Sequence, residues 1–299
     1  MILARALAAV LLLALVSAVL LLAPSTRAQE ATGKKKLAIT KITASPSVAA
    51  RMGKQGVGLS LSSVTEALES QVYDRVLNTR RFEVLERADA DALATEAAAT
   101  GQSFAFNKSD YILTIRVDSF NDRMEERRLA SLGKTVRARV IELSAVAKIT
   151  EVATQRAVAS ANFKVSKRDS ENRSENTTVR VGEASDDLLI QATGEIAQKI
   201  AVRAADVVSP ARIIGKRDRM VTINRNDQSG IAVGQVWEVF TLGDELTDPD
   251  TGEKTREEVL VGKVKVTRVT PQNSQAEIIE DTGIDRGAVI RLVEEETES

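Results

Sequence analysis

Along the first two thirds of the chain, segments with a two-residue hydrophobic period alternate with segments whose apolar residues recur every three or four positions. The two-residue period is typical of β-strands and marks residues 34–42, 80–88 and 109–120. A helix is predicted after the first strand, beginning near Ser60 or Ser62. Its apolar face consists of Leu61, Val64, Leu68, Val72 and Val76.

The rest of this part of the chain continues the mixed pattern. An alanine-rich helix is predicted at 89–101, and two strands at 137–152 and 155–167 are joined where a hairpin would turn. A second long helix is predicted at 185–208. Its apolar face consists of Leu188, Ala192, Ile196, Ile200 and Ala204. This succession of strands and helices predicts an α/β layered domain, with helices packed on a mixed sheet.

Ser185 is expected to cap the start of the second long helix, and Pro210 cannot continue it. Beyond Pro210 the pattern changes to short strands between turn residues. Five strands are predicted, at 219–224, 235–242, 258–269, 274–280 and 288–294. This spacing is typical of a small β-barrel. We therefore predict two separately folding units, an α/β domain over 34–208 and an all-β barrel over 210–299, joined near Ser209.

Three polar segments are predicted to be connections. Residues 43–58 are expected to form a loop before the first helix, and the glycines at its end lack the residue order of a phosphate-binding loop. Residues 121–135 are expected to form a charged link, and residues 166–187 a solvated loop. These segments therefore predict no nucleotide site.

The first 28 residues have the pattern of a secretory signal peptide. Arg5 precedes a long apolar run, and Pro24 is followed by a Thr26-x-Ala28 cleavage pattern. We predict cleavage after Ala28 and export to the periplasm. An uncleaved membrane anchor is the alternative, because the apolar run is about long enough to span a bilayer. No lipid anchor is expected, since its attachment needs a Cys.

The composition removes most catalytic chemistries. The 299 residues include no Cys and no His, which excludes thiolate or imidazole metal sites, disulfides, Cys nucleophiles and Ser-His-Asp triads. We predict a non-enzyme with no catalytic residue, no cofactor and no metal. Removal of the signal peptide takes away Arg5 and Arg27 and leaves 39 basic residues against 42 acidic ones. This slightly acidic balance does not favour a nucleic-acid partner.

An acidic segment, residues 244–255, places five carboxylates around Gly252. Counted from Asp248, a calcium loop of the EF-hand type needs ligands where Gly252 and Val259 stand. Pro249 presets φ for a turn, the glycine permits a positive φ, and Asp side chains accept nearby backbone N–H groups. The segment is therefore interpreted as the turn between the second and third barrel strands, with a weak calcium site as the alternative.

Several motifs of the α/β part stand out: LAITKI, a Gly-x-Gly loop entering a helix, RRFEVLER, Glu96 in the next helix, and SDYIL. Together they resemble the CsgG-like family of curli production assembly and transport components, over residues 34–208. Residues 210–299 resemble the small SH3-like barrel that follows a related domain in the flagellar assembly protein FlgT. INRNDQSGIAVGQVWEVF, and DPDTGE followed by VGKVKVTRV, carry that second resemblance.

The resemblance implies an assembly or scaffold protein of the cell envelope, whose α/β domain binds a partner or oligomerises and whose barrel docks another envelope protein. The expected partner or subunit contacts are Phe82, Glu86, Arg87 and Trp237. Glu86 and Arg87 are equally open to a structural interpretation, an ion pair that holds a strand end. The expected location is the periplasm, with at most peripheral association with the outer membrane.

The family's best-known member, an outer-membrane secretion pore, defines one alternative function. That pore inserts amphipathic hairpins at places corresponding to about 118–140 and 164–184 of this chain. A lipid-facing strand needs an apolar residue at every second position, and a Lys or Arg there costs about 2–4 kcal/mol near the bilayer centre. Both segments are densely charged, which disfavours the pore. A periplasmic activator of a peptidoglycan synthase, with a similar α/β core, is a further alternative.

Overall fold

The structure, a computed structural model, describes residues 33–55, 60–86, 108–129, 134–168, 187–252 and 254–293. The elements up to residue 208 are, in chain order, β1 (Lys35–Ile39), β2 (Thr43–Ala44), α1 (Pro46–Gln55), α2 (Leu61–Asn78), β3 (Phe82–Glu86), β4 (Tyr111–Leu129), β5 (Lys134–Glu151), β6 (Arg156–Arg168) and α3 (Asp187–Val208). The predicted signal peptide, the predicted helix at 89–101 and the expected cap Ser185 lie outside the described residues.

The first sheet has the strand order β3-β1-β4-β5-β6, with β2 paired to β4. β1 runs parallel to β3 and to β4, whereas β4, β5 and β6 are successive antiparallel neighbours. Helices α2 and α3 pack against each other, and α3 also packs on β5 and β6. Their apolar residues share one core with the sheet. This mixed sheet with packed helices confirms the predicted α/β layering.

Helix α2 begins and buries its apolar face as the sequence predicts. Ser60 is the N-cap, and its Oγ accepts the N–H of Ser63 at 3.1 Å. The predicted apolar face is fully buried at Val64, Leu68, Val72 and Val76. At the other end Thr79 Oγ1 donates to the carbonyl of Val76 at 2.7 Å, which satisfies one of the free last-turn carbonyls.

Helix α3 packs through a face rich in small residues. That face includes Leu188, Ala192, Ile196, Ala197, Ile200, Ala201, Ala204 and Ala205. Gly194 lies beside α2, where an added Cβ would be 3.5 Å from Gln71 Oε1. Short side chains allow the two helices to approach closely, and the predicted face is confirmed. Residues 169–186 of the predicted solvated loop lie outside the described residues, while β6 takes its first part up to Arg168.

The predicted loop at 43–58 is wrong over most of its length, because it contains β2 and α1. Pro46 occupies the first helical position of α1, where its missing N–H is not needed. Ser45 Oγ accepts the N–H of Val48 at 3.4 Å, and the Val48 side chain is fully buried. Met52, four residues further on, packs against the same core. Two apolar positions are too few to form a recognisable helical period in the sequence.

The predicted charged link at 121–135 is also wrong. β4 continues to Leu129 and β5 begins at Lys134, and the two strands remain paired in antiparallel register up to that end. Asp122 and Arg139 compensate each other across the ribbon, with 2.5 Å between Oδ2 and Nη2. Opposite charges on neighbouring strands stabilise a ribbon much as apolar pairs do. Such pairing does not produce the hydrophobic alternation by which strands are recognised.

The second sheet follows α3 and is entirely antiparallel. Its elements are β7 (Ile213–Arg217), β8 (Met220–Ile223), a 3₁₀ turn (Asp227–Ser229), β9 (Val236–Thr247), β10 (Lys254–Val269), β11 (Ser274–Asp281) and β12 (Val289–Leu292). The strand order is β12-β9-β10-β11-β8-β7, with a separate apolar core. All five predicted strands are found, and β9 and β10 are adjacent as expected. The short strand β7 was not predicted.

Backbone bonds between the start of β7 and the residues that lead into β12 close this second sheet into a barrel. The N–H of Ile213 donates to the carbonyl of Ala288, and the N–H of Gly287 donates to the carbonyl of Ile213. Gly262 in β10 has a φ of +149°, and a Cβ there would lie 2.1 Å from the carbonyl oxygen of Glu280. β10 is irregular beside this glycine, and only a residue without a side chain permits the close approach of β11.

Within the ranges that the structure describes, no helix combines the length and hydrophobicity needed to cross a membrane.

Candidate functional site

The C-terminal end of α2 and the middle of α3 meet the segment that follows β8, and polar contacts join them. Asn226 Nδ2 donates to the carbonyl of Asn78 at 2.8 Å. Gln198 Nε2 donates to the carbonyl of Gln228 at 2.8 Å. The Gln228 side chain in turn accepts from Arg75 Nη1 at 3.3 Å. These bonds connect the α/β part to the barrel through groups that are partly withdrawn from water.

Arg225 occupies the centre of this junction, and its side chain is 0% exposed. Its Nη2 donates to Asp206 Oδ1 at 3.0 Å and to the carbonyl of Ser209 at 2.7 Å. Its own carbonyl accepts from Ser274 Oγ at 2.8 Å. Burial lowers the pKa of Arg225, and the neighbouring Asp206 carboxylate opposes that shift. The last turn of α3 and the barrel are therefore held together by a buried charge.

Two further arginines lie at the same junction. Arg75 is on the last turn of α2, and Arg81 precedes β3, with its backbone N–H directed to Thr79 Oγ1 at 3.4 Å. Burial lowers the pKa of Arg81, and the positive charge of Arg225 lowers it further. Arg75, Arg81 and Arg225 each have a buried Nε–H that finds no hydrogen-bond acceptor among the described residues. We term these three residues the arginine cluster.

The second notable surface is the arm, defined as the part of the β4–β5 hairpin that extends beyond the end of β6. The last pair between β5 and β6 joins Val140 to Arg168, whereas β4 and β5 continue from the Met124–Arg139 pair to the Leu129–Lys134 pair. Among the described residues, the arm is therefore a two-stranded ribbon. Met124, at its base, is 60% exposed, more than any other large hydrophobic side chain of the first sheet whose exposure is described.

Charged side chains form a network where the arm leaves the sheet. Arg123 contacts Glu142 on β5 at 2.9 Å and Glu125 on its own strand at 3.0 Å. Arg168 of β6 also forms an ion pair with Glu125. On Asp122, both carboxylate oxygens accept from the Arg139 guanidinium, and only 5% of the Asp122 side chain is exposed. The base of the arm is thus fixed by paired charges that belong to three strands.

The acidic segment forms the turn that the sequence predicts. Asp248 Oδ1 accepts the N–H of Asp250 at 2.8 Å and that of Thr251 at 3.0 Å, and these bonds lower the pKa of Asp248. Gly252 has a φ of +69°, and Lys254 Nζ bonds the Glu245 carboxylate at 2.6 Å. The carboxylates of Asp248 and Glu245 therefore have internal partners. No group of three or more Asp or Glu side chains suited to a metal ion occurs in the described parts of the chain.

The structure places Phe82 and Trp237, two of the four residues expected at a partner contact, in different cores. Phe82 is 3% exposed in the α/β core, and Trp237 is 7% exposed in the barrel core, where its Nε1 donates to Gln235 Oε1 at 3.3 Å. Glu86 ends β3, and nothing is described of its side chain or of Arg87. In this chain the two aromatic rings serve the cores. Their role in binding a partner stays a prediction.

Sequence reasoning missed the arginine cluster. Arg225 lies in the polar run Asn224–Gln228, which has the composition of an ordinary turn and belongs to the segment that carries the barrel resemblance. A polar run with an arginine after a buried strand is only a weak signal of a buried arginine. Burial of Arg225 depends on helix α3, which is distant in the sequence. The relationship between them is visible only once the fold is known.

No protein-family model matches the chain, and no curated protein matches it. Among solved structures, a hypothetical protein from Chlamydia trachomatis is 8% identical with a TM-score of 0.37, covering 59% of this chain and 99% of that one. The PelC dodecamer from Paraburkholderia phytofirmans is 13% identical with a TM-score of 0.31, covering 56% and 84%. A lipoprotein from Neisseria meningitidis is 13% identical with a TM-score of 0.30, covering 56% and 98%. Likenesses this weak carry no argument about function.

Proposed function

We propose that this chain is a non-enzymatic, exported cell-envelope protein of the CsgG-like family, which acts as an assembly or scaffold component by binding other proteins. The motifs LAITKI, RRFEVLER and SDYIL and the signal-peptide pattern support this proposal. An α/β part followed by a small closed barrel agrees with it. We further propose that the barrel is SH3-like and that it docks a second envelope protein.

The observation that carries the proposal is the arm. Six residue pairs, from Met124–Arg139 to Leu129–Lys134, extend beyond the last described pair between β5 and β6. A two-stranded ribbon without a third strand or a packed helix is marginally stable in water. No described strand pairs with the edges of the arm, and an unpaired strand edge is open to pairing with another chain. We therefore assign the arm as the surface through which the protein contacts a partner or a second copy of itself.

The secretion pore remains the second candidate, because the arm falls within 118–140, where the family's pore inserts one of its hairpins. The charges at the base of the arm favour the scaffold. Asp122 and Arg139 lie on one face of the ribbon and Arg123 and Glu125 on the other, so no register presents an apolar face to lipid.

The native mass of the purified protein, measured by sedimentation with and without detergent, distinguishes the two candidates. A scaffold should have the same mass in both conditions and should leave the membrane fraction after a wash in high salt or carbonate. It should also give no conductance in planar bilayers. Ion-conducting channels, or a large ring that forms only in detergent, would instead assign the pore.

Substitution of the exposed methionine tests the role of the arm. Met124→Glu places a charge at the base of the arm without removing any ion pair found there. Met220→Glu is the matched control, since Met220 is an exposed methionine on β8 of the barrel. We expect M124E to weaken the complex that the wild type forms, with itself or with a partner isolated from the envelope, and M220E to leave it intact. Equal effects of the two variants would contradict this assignment.

A further inference from the structure

The arginine cluster concentrates positive charge at a place that is withdrawn from water. A chain of contacts holds its members close together: Arg75 bonds Gln228, Asn226 bonds the carbonyl of Asn78, and Arg225 is the residue before Asn226. Arg81 follows Asn78 by three residues, and its backbone N–H is directed to Thr79 Oγ1 at the same end of α2. The positive charge of Arg225 lowers the pKa of Arg81. The cluster thus joins α2, the start of β3 and the barrel.

The anionic charge found at the cluster is too small to balance it. Asp206 is the partner of Arg225, and 43% of its side chain is exposed. Across the described residues, Arg75 and Arg81 take part in no ion pair within 4.0 Å, and the acceptor bound to Arg75 is the neutral amide of Gln228. Among the described residues, the one carboxylate in ion-pair contact with the cluster is therefore that of Asp206, which is bound to Arg225.

The unused hydrogen-bond donors lead to the same conclusion. A buried N–H without an acceptor costs free energy, and native structures leave few of them. Of the four buried side-chain atoms without a partner among the described residues, three are the Nε atoms of Arg75, Arg81 and Arg225. A guanidinium presents its N–H groups in a planar fork that matches the oxygens of a carboxylate or a phosphate.

We propose that the arginine cluster is a binding site for an oxyanion, a phosphate or carboxylate group, bound between the end of α2 and the barrel. Bound there, the oxyanion accepts from donors that have no other acceptor and neutralises charge that Asp206 leaves uncompensated. Because its contacts come from both parts of the chain, it also strengthens the junction between them. The site does not depend on the function of the arm.

Thermal unfolding of the full chain in phosphate, in acetate and in chloride of equal ionic strength tests this site. Ligand binding to the folded state raises Tm, and at saturating phosphate or acetate we expect a rise of about 2–4 °C above chloride. Arg81→Gln removes a half-buried guanidinium that makes no side-chain hydrogen bond to the described residues, so the variant should fold and lose this rise. Arg217→Gln, at an exposed arginine of β7, should retain it.

The outcomes separate a specific site from general salt effects. Phosphate also stabilises proteins by exclusion from their surface, and this contribution is the same in R81Q, in R217Q and in the wild type. The proposal is overturned if neither phosphate nor acetate raises the Tm of the wild type above its value in chloride. It is also overturned if R81Q keeps this rise in Tm, or if R217Q loses it to the same extent as R81Q. If R81Q does not fold, Arg75→Gln takes its place, because Arg75 belongs to the same cluster. A rise in Tm with phosphate identifies the bound group as a phosphate, and a rise with acetate identifies it as a carboxylate.

Discussion

Asp206 and Arg225 form an ion pair of unequal burial: the guanidinium is 0% exposed, whereas 43% of the Asp206 side chain is exposed. Their Oδ1 and Nη2 atoms lie 3.0 Å apart and join α3 to the barrel. Removal of the exposed partner therefore leaves a buried charge, while removal of the buried partner leaves a carboxylate that water can solvate. The two substitutions should not be equivalent.

We expect Asp206→Asn to lower the free energy of unfolding by about 2–4 kcal/mol and Arg225→Met by only about 1–2 kcal/mol, because an uncompensated buried charge costs more than a lost pair. The double variant should be more stable than D206N alone. Chemical denaturation measures all three. Asp227→Asn, at an exposed residue of the 3₁₀ turn, is the control and should change stability by less than about 0.5 kcal/mol. Equal losses for D206N and R225M would show that the pair is effectively solvated.

The same ion pair bears on the prediction that 34–208 and 210–299 fold separately, which stays a prediction. If the junction couples the two parts, they should unfold in one transition in the wild type, and D206N should separate this into two transitions. Fluorescence of Trp237, the single tryptophan, reports on the barrel, and far-UV circular dichroism reports on the helices. Transitions that coincide in the wild type and separate in D206N would demonstrate coupling. Transitions that are separate in both proteins would argue against it.

Gly262→Ala should destabilise the barrel strongly. Its φ of +149° disfavours any side chain, and the new Cβ would lie 2.1 Å from the Glu280 carbonyl oxygen, so β10 and β11 must separate. We expect a loss of more than about 3 kcal/mol in the free energy of unfolding. Gly234→Ala is the control, because Gly234 also has a positive φ but nothing within 4 Å of the added Cβ, and it should cost about 1–2 kcal/mol. A similar cost at both sites would show that the close approach at Gly262 relaxes.

The parts of the fold that the sequence predicts correctly are those whose stability is local and periodic. Helix α2 is an example, since Val64, Leu68, Val72 and Val76 report its buried face directly. Helix α1 was not predicted because only two described side chains, Val48 and Met52, pack it against the core, and two positions do not make a recognisable period. The ribbon beyond Phe120 was not predicted, because cross-strand ion pairs such as Asp122–Arg139 take the place of apolar alternation there.

The arginine cluster was unpredictable for a different reason. Arg75 and Arg225 are 150 positions apart, and a composition rule places arginines at the surface. Their burial follows from how α2, α3 and the barrel meet, which no local pattern encodes. By contrast, the turn at 248–252 was predicted, because Pro249 and Gly252 fix its backbone within five residues.

Acid should remove a contribution to stability that Asp281 provides. The Lys216 ammonium, at 2.8 Å, and the N–H groups of Ile284 and Gly283 lower the pKa of Asp281 from 3.8 to about 2. A carboxyl whose pKa is lower in the folded state stabilises that state above its ordinary pKa, and this contribution is lost as the pH falls through the folded value. The stability gap between the wild type and Asp281→Asn should therefore narrow from about pH 5 towards about pH 2.

Denaturation curves of both proteins across this pH range measure the gap. Lys216→Met provides a second comparison. Without the ammonium, the pKa of Asp281 should return towards its ordinary value, so the gap between K216M and K216M/D281N should close at a higher pH. A gap that stays constant or widens as the pH falls would show that Asp281 does not titrate as the contacts require.

The turn at 248–252 should owe its order to internal hydrogen bonds and not to calcium. Asp248 Oδ1 accepts two backbone N–H groups, and an Asn at this position keeps an oxygen that accepts both. Asp248→Asn should therefore leave Tm almost unchanged, while Asp248→Ala, which loses the acceptor, should lower it. Calcium should leave the Tm of the wild type and of the Asp248→Asn/Asp250→Asn double variant unmoved. A rise of several degrees with calcium in the wild type, absent from the double variant, would instead establish the calcium site that the acidic sequence left as the alternative.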